Sequence, residues 1–342
     1  MSGDGRNVHI LGAGLAGLAA AIKLVNNGFE VSVHDRKASI GSKFGYHVNA
    51  IREQVVSGAL EELKRLGLEY RPCAYIKKAI RIAPAASSET YGTSYVLFER
   101  GRGEDSLENQ MYDLCAELGV EFCFQSKLSS NAKVIDIVAT GAPKDLRNIL
   151  GVGYAYSMDK INLAMDELYL VYDNGIAPQG YVCLMPGPRD AMLLSVSFTE
   201  QNRVRLKKML DAGLESGVLD SALSGALAEK NIFGYGYVQE DPILNAQKNG
   251  RLYVGESCGF QDARRGFGVD YALSTGLIAA QSIISGVPYR ELLSCKYGNE
   301  FKDLWAAREK LNHLTNNDYS LMISSSGPKA NINEYAKQKK RI

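Results

Sequence analysis

The chain has 342 residues, and its 39 lysines and arginines nearly cancel 38 aspartates and glutamates, leaving a net charge of +1. That length suits two joined domains better than one core, and the balanced charge gives no global field to draw in nucleic acid. Six cysteines, at 73, 115, 123, 183, 258 and 295, form no Cys-x-x-Cys pair and the four histidines are scattered, so neither a zinc site nor a disulfide framework is indicated and a cytoplasmic home is expected.

The first informative stretch is Val8-His9-Ile10-Leu11-Gly12-Ala13-Gly14-Leu15-Ala16-Gly17, followed at a distance by Asp35. It reads as a strand, a glycine turn, a helix and a second strand ending in an acid. Gly12 permits the tight turn, Gly14 lets the backbone approach a pyrophosphate, and Gly17 lets the helix pack close to the strand. Leu15, Leu18, Ile22 and Val25 recur at spacings of three and four, as one helical face against a sheet requires. Asn26-Asn27-Gly28 stops that helix, and Glu30 to Asp35 is the next strand. The Asp35 carboxylate can accept both hydroxyls of an adenosine ribose, which favours FAD or NAD over a 2′-phosphorylated cofactor. Arg36, next to it, is counted with the same site. The N-terminal stretch lacks the basic leader of a signal peptide, and no apolar run reaches the ~18 residues of a transmembrane helix.

Residues 37–49 are polar and glycine-bearing and read as a loop over the bound ligand, with Gly41, Lys43 and Gly45 as its informative members. Lys43 would face a phosphate or a flavin carbonyl, or else solvent. A helix is expected from about Ser57 to Leu66, closed by Gly67. Between Ala74 and Glu99 the period changes to two, on either side of a polar turn, which predicts a hairpin. Residues 106–118 form a helix with Leu107, Met111, Leu114 and Leu118 on one face, ended by Gly119. Strands follow at 120–124 and 134–141, the second reading as a buried parallel strand running into Thr140-Gly141.

From Gly151 to Phe198 the strands are tyrosine-rich and antiparallel in character, tyrosines there serving sheet packing more often than a substrate wall. Residues 201–230 are expected to be helical with a break at 213–217, and 233–238 returns to the sheet. Arg251 to Glu256 is a strand ending in an acid. It leads through Ser-Cys-Gly-Phe-Gln-Asp-Ala-Arg-Arg-Gly-Phe-Gly into a helix carrying Ala272, Thr275, Gly276 and Ala279. Gly266 and Gly268 there allow close approach of a planar or phosphorylated group at a helix N-terminus. Beyond Pro288 the pattern is helical as far as Ser324-Ser325-Ser326-Gly327-Pro328, and the tail 337–341 is basic. A solvated tail is the ordinary reading of such a segment, and peripheral membrane contact is the alternative.

A dinucleotide motif at one end and a strand–acid–glycine–helix unit near 255 suggest a long ligand held at both ends, which FAD fits better than NAD. The expected fold class is α/β: a Rossmann-type FAD-binding domain with an inserted, mostly antiparallel β-sheet substrate domain and C-terminal helices. The FAD-binding domain is drawn as 1–73, 104–150 and 242–290, the substrate domain as 74–103 and 151–241, and the C-terminal helical segment and basic tail as 291–342.

With Ile137-Val138-Ala139-Thr140-Gly141, Gly180-Tyr181-x-x-x-x-Pro186 and Gly255-Glu256 through Gly276 added to the opening motif, the chain resembles FAD-dependent oxidoreductases of the geranylgeranyl-reductase-like group. That group is similar in fold to the aromatic hydroxylases. The resemblance implies that Gly12, Gly14 and Gly17 face the pyrophosphate and that Asp35 holds the adenosine ribose. It puts Glu256 where the group usually has an aspartate on the ribityl or pyrophosphate part. It also implies that Gly266-Phe267-Gly268 borders the isoalloxazine, with the following helix dipole favouring the negative charge of the reduced ring. Gly141 and Pro186 would lie at the cofactor, and Arg100 near the flavin, a surface arginine being the other reading of that residue.

The departures fall mostly at the substrate wall. Phe44-Gly45 stands where many prenyl reductases have Cys-Gly, and Tyr181-Val182-Cys183-Leu184-Met185-Pro186 where they have Tyr-x-Trp-x-Phe-Pro. Thr140-Gly141 replaces the Asp-Gly of hydroxylases, and Trp305, the one tryptophan, leaves no pair of the kind flavin halogenases carry. With no second dinucleotide motif, reductant is expected to dock transiently as NAD(P)H or as a reduced protein carrier. The expected reaction is hydride transfer from reduced FAD to an unsaturated apolar substrate, isoprenoids included. The alternatives are a flavin monooxygenase or dehydrogenase on a small or polycyclic substrate, and a non-catalytic flavin-binding scaffold. The catalytic acid is unassigned; Tyr181 and Cys183 are candidates by their position on the substrate strand alone, and Cys258 is expected to be a packing residue.

Overall fold

The computed structural model describes residues 7–43, 46–52, 58–325 and 329–331. In chain order the first part runs β1 (Asn7–Leu11), α1 (Leu15–Val25), β2 (Glu30–His34), β3 (Tyr46–Arg52), α2 (Ala59–Arg65), β4 (Ala74–Ala83), β5 (Ala86–Gly101), α3 (Leu107–Glu117), β6 (Glu121–Cys123) and β7 (Ile137–Val138). Next come β8 (Ile149–Ser157), β9 (Glu167–Val171), β10 (Tyr181–Met185), β11 (Asp190–Ser197), α4 (Arg203–Glu215), α5 (Asp220–Leu223) and β12 (Lys230–Gly236). The chain closes with β13 (Gln247–Lys248), β14 (Arg251–Tyr253), α6 (Val269–Ser285), α7 (Tyr289–Tyr297), α8 (Glu300–Asn312), α9 (Asn316–Ser324) and β15 (Lys329–Asn331).

Among the described residues, six strands make one sheet in the order β13-β14-β7-β1-β2-β6, parallel except for the β13–β14 pair. Parallel neighbours need a crossover, and α1 supplies it between β1 and β2. Val8, Ile10, Val31 and Val33 are buried in the sheet, and Leu15, Leu18 and Ile22 bury the face of α1 that the sequence spacing predicted. α6 packs on α1 so closely that a Cβ on Gly276 would be driven into the Ala16 carbonyl. This is the Rossmann-type half of the expected α/β fold.

Among the described residues, nine strands make the second sheet, ordered β12-β8-β11-β10-β9-β4-β5, with β3 and β15 both paired to β5. Only β4–β9 and β15–β5 are parallel, so the sheet is mostly antiparallel as expected. Alternation along β10 splits its side chains between two cores. Val182 and Leu184 pack with Leu193, Leu210 and Leu223, while Cys183 and Met185 pack on the opposite side with Met192 and Leu168.

Several expectations are corrected. Residues 46–49, expected as the end of the 37–49 loop, belong with 50–52 to strand β3 of the second sheet, because β5 offers an antiparallel partner running from Tyr46 opposite Gly101 to Arg52 opposite Tyr95. The predicted hairpin is present, but its turn is Pro84-Ala85, and the polar residues Ser87, Ser88, Glu89 and Thr90 lie inside β5, where each pairs with a residue of β4. The helix expected over 201–230 breaks at Ser216 to Leu219, since Gly213 sits inside α4, where its lack of a side chain accommodates Ile176, and it ends at Leu223, Lys230 already belonging to β12. Phe44, Gly45, Ser57, the Ser326-Gly327-Pro328 break and the tail 337–341 lie outside the described residues. No helix among the described residues is long and apolar enough to cross a membrane.

Candidate functional site

The turn after β1 is built for close backbone approach. Gly12 has φ +115°, a conformation L side chains rarely adopt, and a Cβ there would meet the Ala139 carbonyl. Its N–H donates to the His34 carbonyl at 2.7 Å, locking the turn to the end of β2. Gly14 is the N-cap of α1 with no side chain capping the helix, and nothing lies within 4 Å of where its Cβ would stand. Uncapped N–H groups and the positive dipole end therefore face open space. The Asp35 carboxylate accepts the Ala13 N–H at 2.8 Å and the Lys37 N–H at 2.7 Å, which fixes it beside the turn with lone pairs to spare.

One cavity of about 940 Å³ runs from this turn to the second sheet. It is lined at one end by Gly12, Gly14, Asp35 and Arg36, in the middle by Lys43, Gly141 and Glu256, and beyond them by Arg100, Gly266, Phe267, Gly268, Tyr181 and Cys183. Residues far apart in sequence and singled out there thus share one space. Lys43 and Glu256 form an ion pair at 3.5 Å, and Gly141, at φ +71°, leaves the Lys43 ammonium the room a side chain would take.

Gly17 and Pro186 are not among the lining residues. A Cβ on Gly17 would strike the Gly12 carbonyl, so this glycine serves helix–turn packing and does not line the cavity. Pro186 is buried beyond the end of β10 and has the parity of Val182 and Leu184, whose side of the strand faces away from the cavity. Arg100 is 9 % exposed, which rules out the surface reading. It forms a buried ion pair with Glu108 at 2.6 Å and donates to the Asn49 side-chain oxygen at 2.7 Å.

The two catalytic candidates differ in what they can do. Tyr181 donates its phenol proton to the Arg265 carbonyl at 2.5 Å, and burial holds its pKa well above the ordinary tyrosine range. Cys183 is buried on the same strand, and burial pushes its thiol up to about 12. Both stay neutral at physiological pH and are weak acids there. Cys258 is buried, with its thiol on the Tyr253 carbonyl at 3.2 Å, as a packing residue would be.

Sequence reasoning missed part of the wall. Gln261 holds the Gly266 carbonyl at 2.7 Å, leaving its own side-chain oxygen buried without a partner among the described residues. Arg264 and Arg265 precede Gly266 and line the same space; they stood inside the singled-out stretch, and their charge was the signal for them. Arg308 and Tyr319 reach in from α8 and α9, and His47 from β3. Ten lysines and arginines line the cavity against three carboxylates, Asp35, Glu108 and Glu256, so its field is strongly positive although the whole chain is nearly neutral.

Residues 10–55 match the family described as NAD(P)-binding Rossmann-like domain. A stretch of 51 residues is 45% identical to a probable zeta-carotene desaturase of Synechococcus elongatus, covering 15% of this chain and 11% of that protein, so the match spans about a tenth of the relative's length. Among solved structures, a geranylgeranyl bacteriochlorophyll reductase-like protein from Thermoplasma acidophilum aligns with TM-score 0.75 and 19% identity, over 93% of this chain and 90% of that one. The protein CtdE, solved with FAD and a substrate, aligns with TM-score 0.64 and 14% identity over 92% and 90%. A flavin-dependent brominase variant aligns with TM-score 0.59 and 13% identity over 96% and 99%. The chain thus carries an NAD(P)-binding Rossmann-like segment at its N-terminus and has, over nearly its whole length, the fold of a geranylgeranyl-reductase-like protein and of other flavin-dependent enzymes.

Proposed function

We propose that this chain is a FAD-dependent oxidoreductase that reduces an unsaturated, largely apolar substrate. The observation that carries the reading is the single cavity joining the Gly12–Gly14 turn and Asp35 to the Gly266–Gly268 loop and the β10 strand. Its volume of about 940 Å³ lies near the upper end of ordinary ligand pockets, which leaves room for a dinucleotide and a second molecule. The residues present fit FAD: an uncapped helix N-terminus with open space at Gly14 for the pyrophosphate, and a fixed carboxylate at Asp35 for the ribose. When bound, FAD supplies the hydride chemistry.

The protein's own residues hold, orient and exclude. α1 would present N–H donors to the pyrophosphate, and Lys43, paired with Glu256, would add a cation beside it. Gly266 and Gly268, on either side of Phe267, present no side chain where the ring edge would lie, and the N-terminus of α6 behind them would favour negative charge on that edge. The β10 and β11 walls, through Cys183, Met185, Met192 and Leu194, keep water from the substrate side. Tyr181 fixes the backbone of Arg265 by its hydrogen bond, and Cys183 keeps its proton, so the proton that accompanies reduction comes from water. Reductant docks transiently, as NAD(P)H or a reduced carrier protein.

Purified protein should be yellow and release FAD on denaturation; protein that stays colourless after incubation with FAD overturns the reading. Under anaerobic conditions the reduced holoenzyme should saturate a conjugated alkene in an added polyene. Incorporation of oxygen from O2 into a product would replace the reductase reading with the monooxygenase one. A holoenzyme that is reduced by no nicotinamide and no carrier, and turns nothing over, would support the scaffold reading.

A further inference from the structure

Among the described side chains that line the cavity, few are of a type that exchanges a proton near neutral pH. Carboxylates ordinarily release theirs at about 4, and lysine, tyrosine and arginine keep theirs to about 10 or beyond. Burial holds Tyr181 well above the tyrosine range and pushes the Cys183 thiol up to about 12. Histidine is the exception, with an ordinary value of about 6.5. Two of the four histidines line the cavity, His34 and His47. His34 belongs to the adenosine end: it precedes Asp35, its carbonyl accepts the Gly12 N–H, and its Nε2 lies 3.1 Å from His9 Nδ1. His47 is left for the other end.

His47 stands on β3 and is 8 % exposed. The second sheet curls far enough there to bring distant strands together. β12 begins the strand order and β3 hangs on β5 near its other end, yet His47 Nε2 is 3.8 Å from where a Cβ on Gly234 of β12 would sit. A Cβ on Gly236, two positions on, would run into Gln261, the residue that holds the Gly266 carbonyl. Two bare positions of β12 therefore stand between His47 and the base of the Gly266–Gly268 loop. β3 also reaches the apolar wall, Ala50 sharing one buried cluster with Cys183, Met185 and Met192. The charged groups of the surrounding elements are Arg100, opposite His47 on β5, Glu108 of α3, paired with Arg100, and Arg147, stacked on the Tyr235 ring of β12, with Asp262, Arg264 and Arg265 in the loop. Cations outnumber acids among them, and such a field disfavours a further positive charge until negative charge enters the cavity.

We infer that His47 carries the proton of the reduction: it takes one from water as electrons enter the flavin and presents it to the substrate beside the apolar wall. The inference rests on the flavoenzyme reading and deepens it by assigning the proton's carrier. In the step it serves, the π bond of an alkene breaks and two C–H bonds form. One carbon receives hydride, with both electrons, from the reduced flavin, which is thereby oxidised. The other receives the imidazolium proton, and the imidazole keeps the N–H electron pair until it regains a proton from water.

The test uses FAD-loaded protein and needs no substrate. Its midpoint potential is measured by dye equilibration at half-unit steps from about pH 5.5 to 9, for the parent, His34→Gln and His47→Gln. Parent and His34→Gln should share a stretch in which the potential falls with pH more steeply than in His47→Gln, by the equivalent of one more proton per two electrons. A side chain that only shapes the pocket would displace the whole line and leave its slope alone. A second measurement does not need the His47 variant to fold. The histidine Cε1 proton signals of the holoprotein are followed by NMR, and substituting His9, His34 and His313 in turn assigns three of the four and leaves His47. The His47 titration should move up by about one pH unit or more when dithionite reduces the flavin, and further than that of any other histidine. Parallel lines in parent and His47→Gln, or a His47 titration that stays in place on reduction, overturn the inference. Protein that binds FAD and lacks this linkage sinks the inference alone, and protein that binds no FAD sinks the flavoenzyme reading and the inference with it.

Discussion

A Cβ added at Gly17 would run into the Gly12 carbonyl, and one at Gly12 into the Ala139 carbonyl, whereas one at Gly14 meets nothing within 4 Å. The three glycines of one motif therefore fail in different ways. Gly17→Ala should cost the cofactor-free protein about 1–3 kcal/mol through overpacking, read as a lowered urea midpoint. Gly14→Ala should leave that midpoint within about 0.5 kcal/mol of the parent and weaken FAD binding, because its new methyl group stands in the ligand's space. Equal destabilisation by the two would refute the assignment. Arg100 and Glu108 give a second residue-level case. Arg100→Ala leaves a buried carboxylate without its cation and should cost about 3–5 kcal/mol, while the double change Arg100→Met with Glu108→Leu should recover much of the loss. At this scale the sequence was most legible in which residues share the cavity, as with Gly12, Gly14 and Asp35. It was least legible at Pro186 and Gly17, where what decides is the side of a strand or the packing of a helix on its own turn.

Short polar segments decide whether elements are seen. Residues 46–49 read as the end of a polar, glycine-bearing loop, yet Val48 and Ala50 are buried and β5 fixes the register some fifty residues later. Local propensity carries no information about such a distant partner. The C-terminal helices were predicted as helices, but their part in the cavity was not, since nothing near Arg308 in sequence signals the Arg264 carbonyl it meets, nor near Tyr319 the Tyr172 ring it packs on. α9 shows how that wall is held. Thr315 and Asp318 form a reciprocal capping box, the Thr315 hydroxyl accepting the Asp318 N–H at 3.3 Å and the Asp318 carboxylate accepting the Thr315 N–H at 2.8 Å. The helix buries Tyr319 and Ile323 against Ala83 on β4. Thr315→Ala should cost about 1 kcal/mol and raise the hydrogen-exchange rates of α9 amides ahead of those in α6. Exchange that rises equally across both helices would show that the cap does not hold α9 as a separate unit.

Across the whole molecule, the cavity draws on both sheets and on α1, α6, α8 and α9, so its electrostatics belong to the fold and not to any one motif. Asp270, in the first turn of α6 behind the Gly266–Gly268 loop, gives that coupling a pH signature. Burial pushes its carboxyl up to about 6 from 3.8, and Arg52 opposes the shift only in part. The native carboxyl thus keeps its proton to about pH 6, while the unfolded one releases it near 3.8. The stability this proton contributes is complete below pH 3.8 and declines as the pH rises through about 6, after which the ionised group is a fixed cost. At pH 7.5 that cost is about 3 kcal/mol, the two-unit shift converted at 1.36 kcal/mol per unit. Asp270→Asn should therefore raise the melting temperature at pH 7.5, and the gain should shrink steadily as the pH is lowered toward 4, where parent and variant converge. The measurement is a pair of melting curves taken at half-unit intervals of pH. A gain that stays constant with pH would mean that Asn improves packing alone, and a loss at pH 7.5 would mean that the ionised carboxylate is held by Arg52 and the α6 N-terminus more firmly than its burial disfavours it.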